Sequence, residues 1–157
     1  ASRGARHFLD NPQARFYRGC KVFRPRRSDS SRLALETLAQ LGSIMGSGGM
    51  IVMDDTTDMV YQIWRLARFY AHESCAQCTQ CREGTAWSVR ILERILAGKG
   101  KQEHFQLLLD LSDNMTGKTI CVLSDSCAAP IVSGIQKFRQ EFEAYIQGAR
   151  EPAMAAV

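Results

Sequence analysis

Three cysteines spaced by two residues each, Cys75, Cys78 and Cys81, constrain this chain more than any other feature, and a fourth stands at Cys121. A C-x2-C-x2-C run wraps three thiolates around one tight turn and leaves a fourth corner for a sulfur from elsewhere. That is the ligation habit of a [4Fe-4S] cluster. A tetrahedral zinc site is more often built from two paired knuckles, each supplying two ligands to one ion. Here the second half is not a knuckle, because five residues separate Cys121 from Cys127. Spacing therefore favours an iron–sulfur cluster over a zinc site, and either over no metal.

The chain has 157 residues, 45% of them hydrophobic, enough for one modest core with a small appendage. It contains no apolar run near the ~20 residues of a membrane span, and no apolar stretch of the signal-peptide kind at its start. A soluble, non-secreted chain is expected. Of six cysteines, four fall into one constellation instead of being scattered as in a disulfide scaffold, which favours a reducing compartment. The net charge of +4 hides an asymmetry: residues 1–32 hold eight Arg and Lys21 against Asp10 and Asp29. A basic arm of this kind suits a negative surface on a neighbouring subunit, or the start of an organellar protein after its leader is removed. Phe8, Phe16, Tyr17 and Phe23 form no nucleic-acid reading motif, so nucleic acid is not an expected partner.

Along the chain, residues 1–32 carry Pro12, Pro25 and scattered glycines without a sustained apolar period, and are expected to be an extended basic arm. Residues 33–56 form a helix–strand segment, with a leucine-rich helix over 33–41 that Ser30 or Ser31 could cap. The turn Gly46-Ser47-Gly48-Gly49 leads into a short strand Met50–Met53. That glycine turn lacks dinucleotide-loop spacing and precedes its strand instead of following it. Residues 57–147 read as a four-helix bundle. The first helix is capped at Thr57 or Asp58 and carries an apolar stripe at Val60, Ile63, Trp64 and Ala67. A second starts near Arg82-Glu83, with Trp87, Ile91, Leu92, Ile95 and Leu96 inward, and ends at Gly98. A third runs from about Gln102 to Asp113. A fourth begins with Pro130 in its first position, where the missing N–H costs nothing, and turns Ile131, Ile135, Phe138, Phe142, Tyr145 and Ile146 to the core. Residues 148–157 are a tail. The fold class is mainly α: a small cluster-bearing bundle preceded by a short α+β remnant and the arm.

The segment Glu73-Ser74-Cys75-x-x-Cys78-x-x-Cys81-Arg82-Glu83-Gly84-Thr85 resembles the cluster motif of the NADH-binding flavoprotein subunit of respiratory complex I. The stretches Gly49–Val60, Gly117–Leu123 and Phe138-Arg139-Gln140-Glu141-Phe142 resemble the strand, fourth-ligand loop and last helix of the same family. The resemblance covers roughly residues 33–147. It implies that the chain corresponds to the last third of the subunit, the end of a ubiquitin-like domain followed by the iron–sulfur bundle. It further implies Cys75, Cys78, Cys81 and Cys121 as cluster ligands, with Arg82, Gly84, Thr85 and Leu123 around them. The family's flavin and nucleotide domain would lie before residue 33, where only the arginine-rich segment stands. FMN and NADH are then expected on a partner chain, whether this is a separate polypeptide or a piece of a longer one. The arginine-rich, acid-poor start is most consistent with a setting at the mitochondrial inner membrane on the matrix side, with the bacterial cytoplasmic face as the alternative, and without lipid contact.

An anionic cube needs compensating positive ends. Cys81 just before the second helix, and the Cys121 loop leading to a helix at Pro130, would supply two helix N-termini. Arg82 is the nearest fixed cation, unless it is spent on an ion pair with Glu83 or Glu73. His72 is a surface or supporting residue, not a ligand, and Cys20 and Cys127 are free thiols. Trp64 and Trp87 are core. No catalytic acid, base or nucleophile is identified, and no flavin-binding residue. The function implied is electron transfer from a partner-bound flavin through the cluster to clusters in a neighbouring complex I subunit. The alternatives are a zinc-stapled structural module, a helical interaction domain with incidental cysteines, or the same module of an NAD-linked hydrogenase or formate dehydrogenase.

Overall fold

The computed structural model describes residues 15–18, 21–23, 50–53 and 56–150, and the chain divides into two units, residues 1–57 and 58–157. In the first unit, β1 (Arg15–Arg18), β2 (Lys21–Phe23) and β3 (Met50–Met53) form a three-stranded antiparallel sheet in the order β2-β1-β3. Phe16 faces Phe23 on one side and Val52 on the other in the register. The strand expected at Met50–Met53 is present. The expected arm contains two paired strands, so part of it belongs to a sheet. The helix expected over residues 33–41, its capping serines and Cys20 lie outside the described residues.

The second unit is the helical bundle. α1 spans Met59–Glu73 and is capped by Asp58, whose Oδ1 accepts from the Tyr61 amide at 3.0 Å. It buries Met59, Val60, Ile63, Trp64 and Ala67, each worth about 1.5–3 kcal/mol for the larger side chains. α2 spans Thr79–Arg94 and passes into one π-type turn, Ile95–Lys99, where Gly98 at φ 69° supplies the left-handed residue that stops it. α3 spans Glu103–Met115; the Lys101 amide donates to Nδ1 of the buried His104 at 3.0 Å, which fastens the entry to this helix. α4 spans Leu123–Ile146 and receives both α1 and α3 on its buried face. The core gathers Ile63, Leu92, Ile95, Leu108, Ile131 and Phe142, and the Phe105 and Phe142 rings meet edge to face at 6.0 Å.

One end of the bundle is tied by polar groups. The Tyr145 hydroxyl donates to Asp58, and the Met59 amide donates to Glu141 Oε2 at 3.2 Å. Arg150 Nη1 stands 3.6 Å from Asp58 Oδ2 and 3.4 Å from Glu141 Oε2. The start of α1 and the end of α4 are thus joined, and residues 148–150, expected as tail, fold back onto them. Burial, then the hydrogen bond to Asp58, pushes the Tyr145 phenol above its usual range.

Three expectations are corrected. α2 begins at Thr79, a turn earlier than Arg82, because Cys78 occupies the N-cap position. α4 begins at Leu123, so Pro130 is inside the helix and buried, not at its first position. Trp87 is 49% exposed while Trp64 is buried. The inward face of α2 is lined by Gly84, Thr85, Ser88, Ile91 and Leu92, which leaves Trp87 outside.

Candidate metal centre

The four expected ligands sit on two loops, each running into a helix. Ser74 caps the end of α1, and Cys75, Ala76 and Gln77 form the turn into α2. Ala76 takes φ 63°, a left-handed conformation that costs a non-glycine residue about 1 kcal/mol or more. Two contacts hold it there. The Ala76 amide donates to Ser74 Oγ at 3.4 Å, and Arg82 Nη1 donates to the Ala76 carbonyl at 3.3 Å. Cys78 is then the N-cap of α2, and Cys81 lies in the first turn instead of ahead of the helix.

The second loop joins α3 to α4. Gly117, at φ 68°, turns the chain, and its amide donates to Asp125 Oδ1 at 2.9 Å. Thr119 and Ser124 share a hydrogen bond between their hydroxyls, and Ser124 Oγ also donates to the Met115 carbonyl at 3.2 Å. Cys121 is held one residue ahead of Val122, the N-cap of α4. Leu123 is the first residue of that helix and half-buried. The two loops meet where the Ile120 amide donates to Cys78 Sγ at 3.5 Å.

Burial grades across the set: Cys81 is buried, Cys78 half-buried, Cys75 and Cys121 exposed, and all four are free thiols. Among the described residues, no group of three or more His, Cys, Asp or Glu side chains is gathered closely enough to hold a metal ion. The fold brings the two cysteine loops side by side without closing the thiols on one centre. Their chemistry nevertheless fits an anionic cluster. Residues 79–81 and 123–125 open helices, so their amides have no acceptor within the helix and carry the positive dipole end.

The surrounding residues divide as follows. Arg82 forms the ion pair with Glu83, Nε to Oε1 at 2.8 Å, while its other arm braces Ala76. Thr85 Oγ1 donates to the Cys81 carbonyl at 2.8 Å within the core. Gly84 faces Met115 so closely that a Cβ would lie 2.7 Å from its Cγ and Sδ. His72 is 86% exposed and lies 4.0 Å from Glu73, on the surface. Cys127 is fully buried, and burial, with Cys81 nearby, pushes its thiol up to about 12. Sequence reasoning missed Ser74 as a partner of Cys81: their Oγ and Sγ stand 3.3 Å apart. A hydroxyl directly before the first cysteine was the available signal.

In comparison with known proteins, residues 61–145, more than half of the chain, match the family described as the NADH-ubiquinone oxidoreductase-F iron-sulfur binding region. The F subunit of the Rickettsia bellii NADH-quinone oxidoreductase is 44% identical over 76% of this chain and 28% of its own length. The corresponding Rickettsia massiliae protein is 42% identical over 92% of this chain and 34% of its own length. An F subunit of the Rhizobium meliloti NADH-quinone oxidoreductase is 47% identical over 68% of this chain and 24% of its own. The chain thus spans about a third or less of these relatives. Among solved structures, an NAD+-reducing [NiFe]-hydrogenase in the H2-reduced state superposes with a TM-score of 0.75 at 29% identity, over 86% of this chain and 23% of that one.

Proposed function

We propose that this chain, which belongs to the NADH-ubiquinone oxidoreductase-F iron-sulfur binding family, is an electron-transfer module that holds one [4Fe-4S] cluster on Cys75, Cys78, Cys81 and Cys121. The observation that carries this reading is the meeting of the two cysteine loops, each opening a helix, at the Ile120 amide and the Cys78 sulfur. When bound, the cluster supplies a one-electron couple. The chain's own residues do the rest. Four thiolates hold the group, and the first-turn amides of α2 and α4 face its charge. Ala76, fixed by Arg82, sets the spacing of the first two ligands.

Electron transfer of this kind needs no acid, base or nucleophile. FMN and NADH belong, in this reading, to flavoprotein sequence other than these 157 residues, as befits a chain that covers a minor share of its relatives. Its partners are that flavoprotein portion and other subunits of an NADH-quinone oxidoreductase. Docking uses the surface around Ile120 and Val122, 85% and 74% exposed beside Cys121. Ile51 of β3, in the first unit, is a separate exposed apolar residue. The Cys127–Pro130 stretch that follows is largely buried. No described helix is long and apolar enough to cross a membrane, and the relatives named above are bacterial. The setting proposed is the cytoplasmic face of a bacterial membrane, or the matrix side of the mitochondrial inner membrane. The hydrogenase superposition supports the same module in an NAD-linked hydrogenase as a second reading, at lower identity than the oxidoreductase relatives.

Anaerobic reconstitution with iron and sulfide tests the proposal. About four irons per chain and a visible band bleached by dithionite are expected. Serine at position 75, 78, 81 or 121 should abolish or convert the cluster, while Cys127→Ser should keep it. One zinc per chain without visible absorption would refute the redox role.

A further inference from the structure

We infer that the Ser74 hydroxyl is a hydrogen-bond donor to the Cys81 sulfur and raises the reduction potential of the cluster that this sulfur holds. The inference rests on the proposed cluster but adds a residue that acts through a ligand, as a positioning residue. Ser74 Oγ lies 3.3 Å from Cys81 Sγ, within hydrogen-bond range for sulfur, and either atom could donate as the free thiol and hydroxyl stand. Ligation removes that ambiguity. A cluster-bound Cys81 is a thiolate with no proton, so the hydroxyl must donate and the sulfur accept. Ser74 Oγ keeps an acceptor lone pair for the Ala76 amide, which approaches at 3.4 Å. One donated and one accepted bond are mutually compatible, and they aim the hydroxyl proton away from the amide.

The environment favours a measurable effect. Cys81 is 7% exposed and Ser74 half-buried, so water has little room to replace the hydroxyl. Arg82, a cation beside this turn, has its guanidinium turned to Glu83 and the Ala76 carbonyl. The Ile120 amide, directed at Cys78 Sγ, belongs to the backbone and survives substitution. Reduction adds one negative charge to the cluster, shared with its ligand sulfurs. A hydrogen bond to such a sulfur strengthens with that charge, stabilises the reduced state more than the oxidised one, and raises the potential.

The test is a redox titration of the reconstituted full chain, followed by electron paramagnetic resonance, for wild type, Ser74→Ala, Ser74→Thr and Ser74→Val. Thr and Val have the same shape and differ in the hydroxyl. Loss of the donor is expected to lower the reduced-to-oxidised ratio at fixed potential about tenfold, ~59 mV for a one-electron couple, in Ala and Val alike. Thr should remain within about twofold of wild type, a ~18 mV shift on the same scale. Equal potentials in wild type, Ala and Val, with the cluster intact, overturn this inference and leave the proposed function standing. Loss of the cluster from Ala and Val but not Thr overturns the tuning role in favour of an assembly role. A wild-type chain that takes up no iron overturns both readings.

Discussion

Replacing Gly84 by alanine sets two opposed effects against each other at the joint between the cysteine loops. Gly84 lies inside α2, where glycine costs ~1 kcal/mol relative to alanine, so helix propensity alone predicts stabilisation. The added Cβ would stand 2.7 Å from both Cγ and Sδ of Met115, against a comfortable separation of about 3.5–4.0 Å. Met115 is 1% exposed, so its side chain cannot swing into solvent. Overpacking of this kind costs about 1–3 kcal/mol. The steric cost wins, leaving a net loss centred near 1 kcal/mol, or ~4–8 °C in Tm for a unit of this size. The damage should also reach the ligands, because the Met115 carbonyl receives the Ser124 hydroxyl and the Lys118 amide at the base of the Cys121 loop. Prying α2 from Met115 moves Cys78 and Cys81 relative to Cys121, so iron retention on dilution should fall as well. Removing the obstacle decides the matter. In a Met115→Ala background, itself about 2–5 kcal/mol less stable, Gly84→Ala should change sign and stabilise by ~1 kcal/mol. Thermal melts of the four proteins of this cycle measure it. A substitution that is equally destabilising with and without Met115 would refute the steric account.

Two further predictions concern groups away from that joint. Iodoacetamide at pH 8 should modify Cys75 and Cys121 of the folded, cofactor-free chain and spare Cys127, whose thiol is raised from 9.0 to about 12. Because that pKa is higher folded than unfolded, the contribution is complete below pH 9.0 and is lost as pH climbs toward about 12; peptide mapping and melts across pH 8–11 check both. Arg150→Ala leaves the Asp58 and Glu141 carboxylates together without their shared cation, at an expected cost of about 1–2 kcal/mol. The deficit should narrow in ~1 M salt, which screens their repulsion, and the cluster spectrum should not change, as melts and absorption in low and high salt will show.

Most of the bundle was legible because its stripes are strong. Val60, Ile63, Trp64 and Ala67 mark α1, and Asp58 announces its start. What misled was chemistry that hydrophobic patterning does not read. Cysteine is not among the residues recognised as N-caps, so Cys78 concealed the start of α2 and placed Cys81 outside the helix. The inward face of α2 near the site is built from Gly84, Thr85 and Ser88, small residues that let α2 approach Met115. A period search that follows large apolar residues therefore selected Trp87. Pro130 looked like a beginning because proline favours first positions. The real start of α4 is organised by Thr119, Ser124 and Asp125, whose side chains secure the preceding loop through hydrogen bonds that sequence alone does not display. In the first unit, strands of four and three residues are too short to show alternation, although Gly19-Cys20 between the paired Arg18 and Lys21 was a hairpin signal.

Exposure is graded across the four proposed ligands. A redox module must hold its cluster tightly on one side and leave it near a partner on the other. Cys81, on the inward side, is buried, has its sulfur 3.3 Å from the Ser74 hydroxyl, and has its carbonyl secured by Thr85. Cys75 and Cys121, on the outward side, are exposed, and the residues flanking Cys121 are the apolar Ile120 and Val122. Water over that side would lower the cost of charging the cluster and so shift its potential. A covering polypeptide would exclude it and use the same apolar residues as contacts. The inner side of the site therefore belongs to this fold, and the outer side has the exposure and apolar character of a surface completed by a partner. Ile120→Asp, which places charge in that surface while leaving the backbone amide to Cys78, should preserve cluster assembly and weaken complex formation by about 1–3 kcal/mol. Co-purification with the flavoprotein portion, compared with the iron content of the isolated chain, distinguishes the two; unimpaired association would place the docking surface elsewhere.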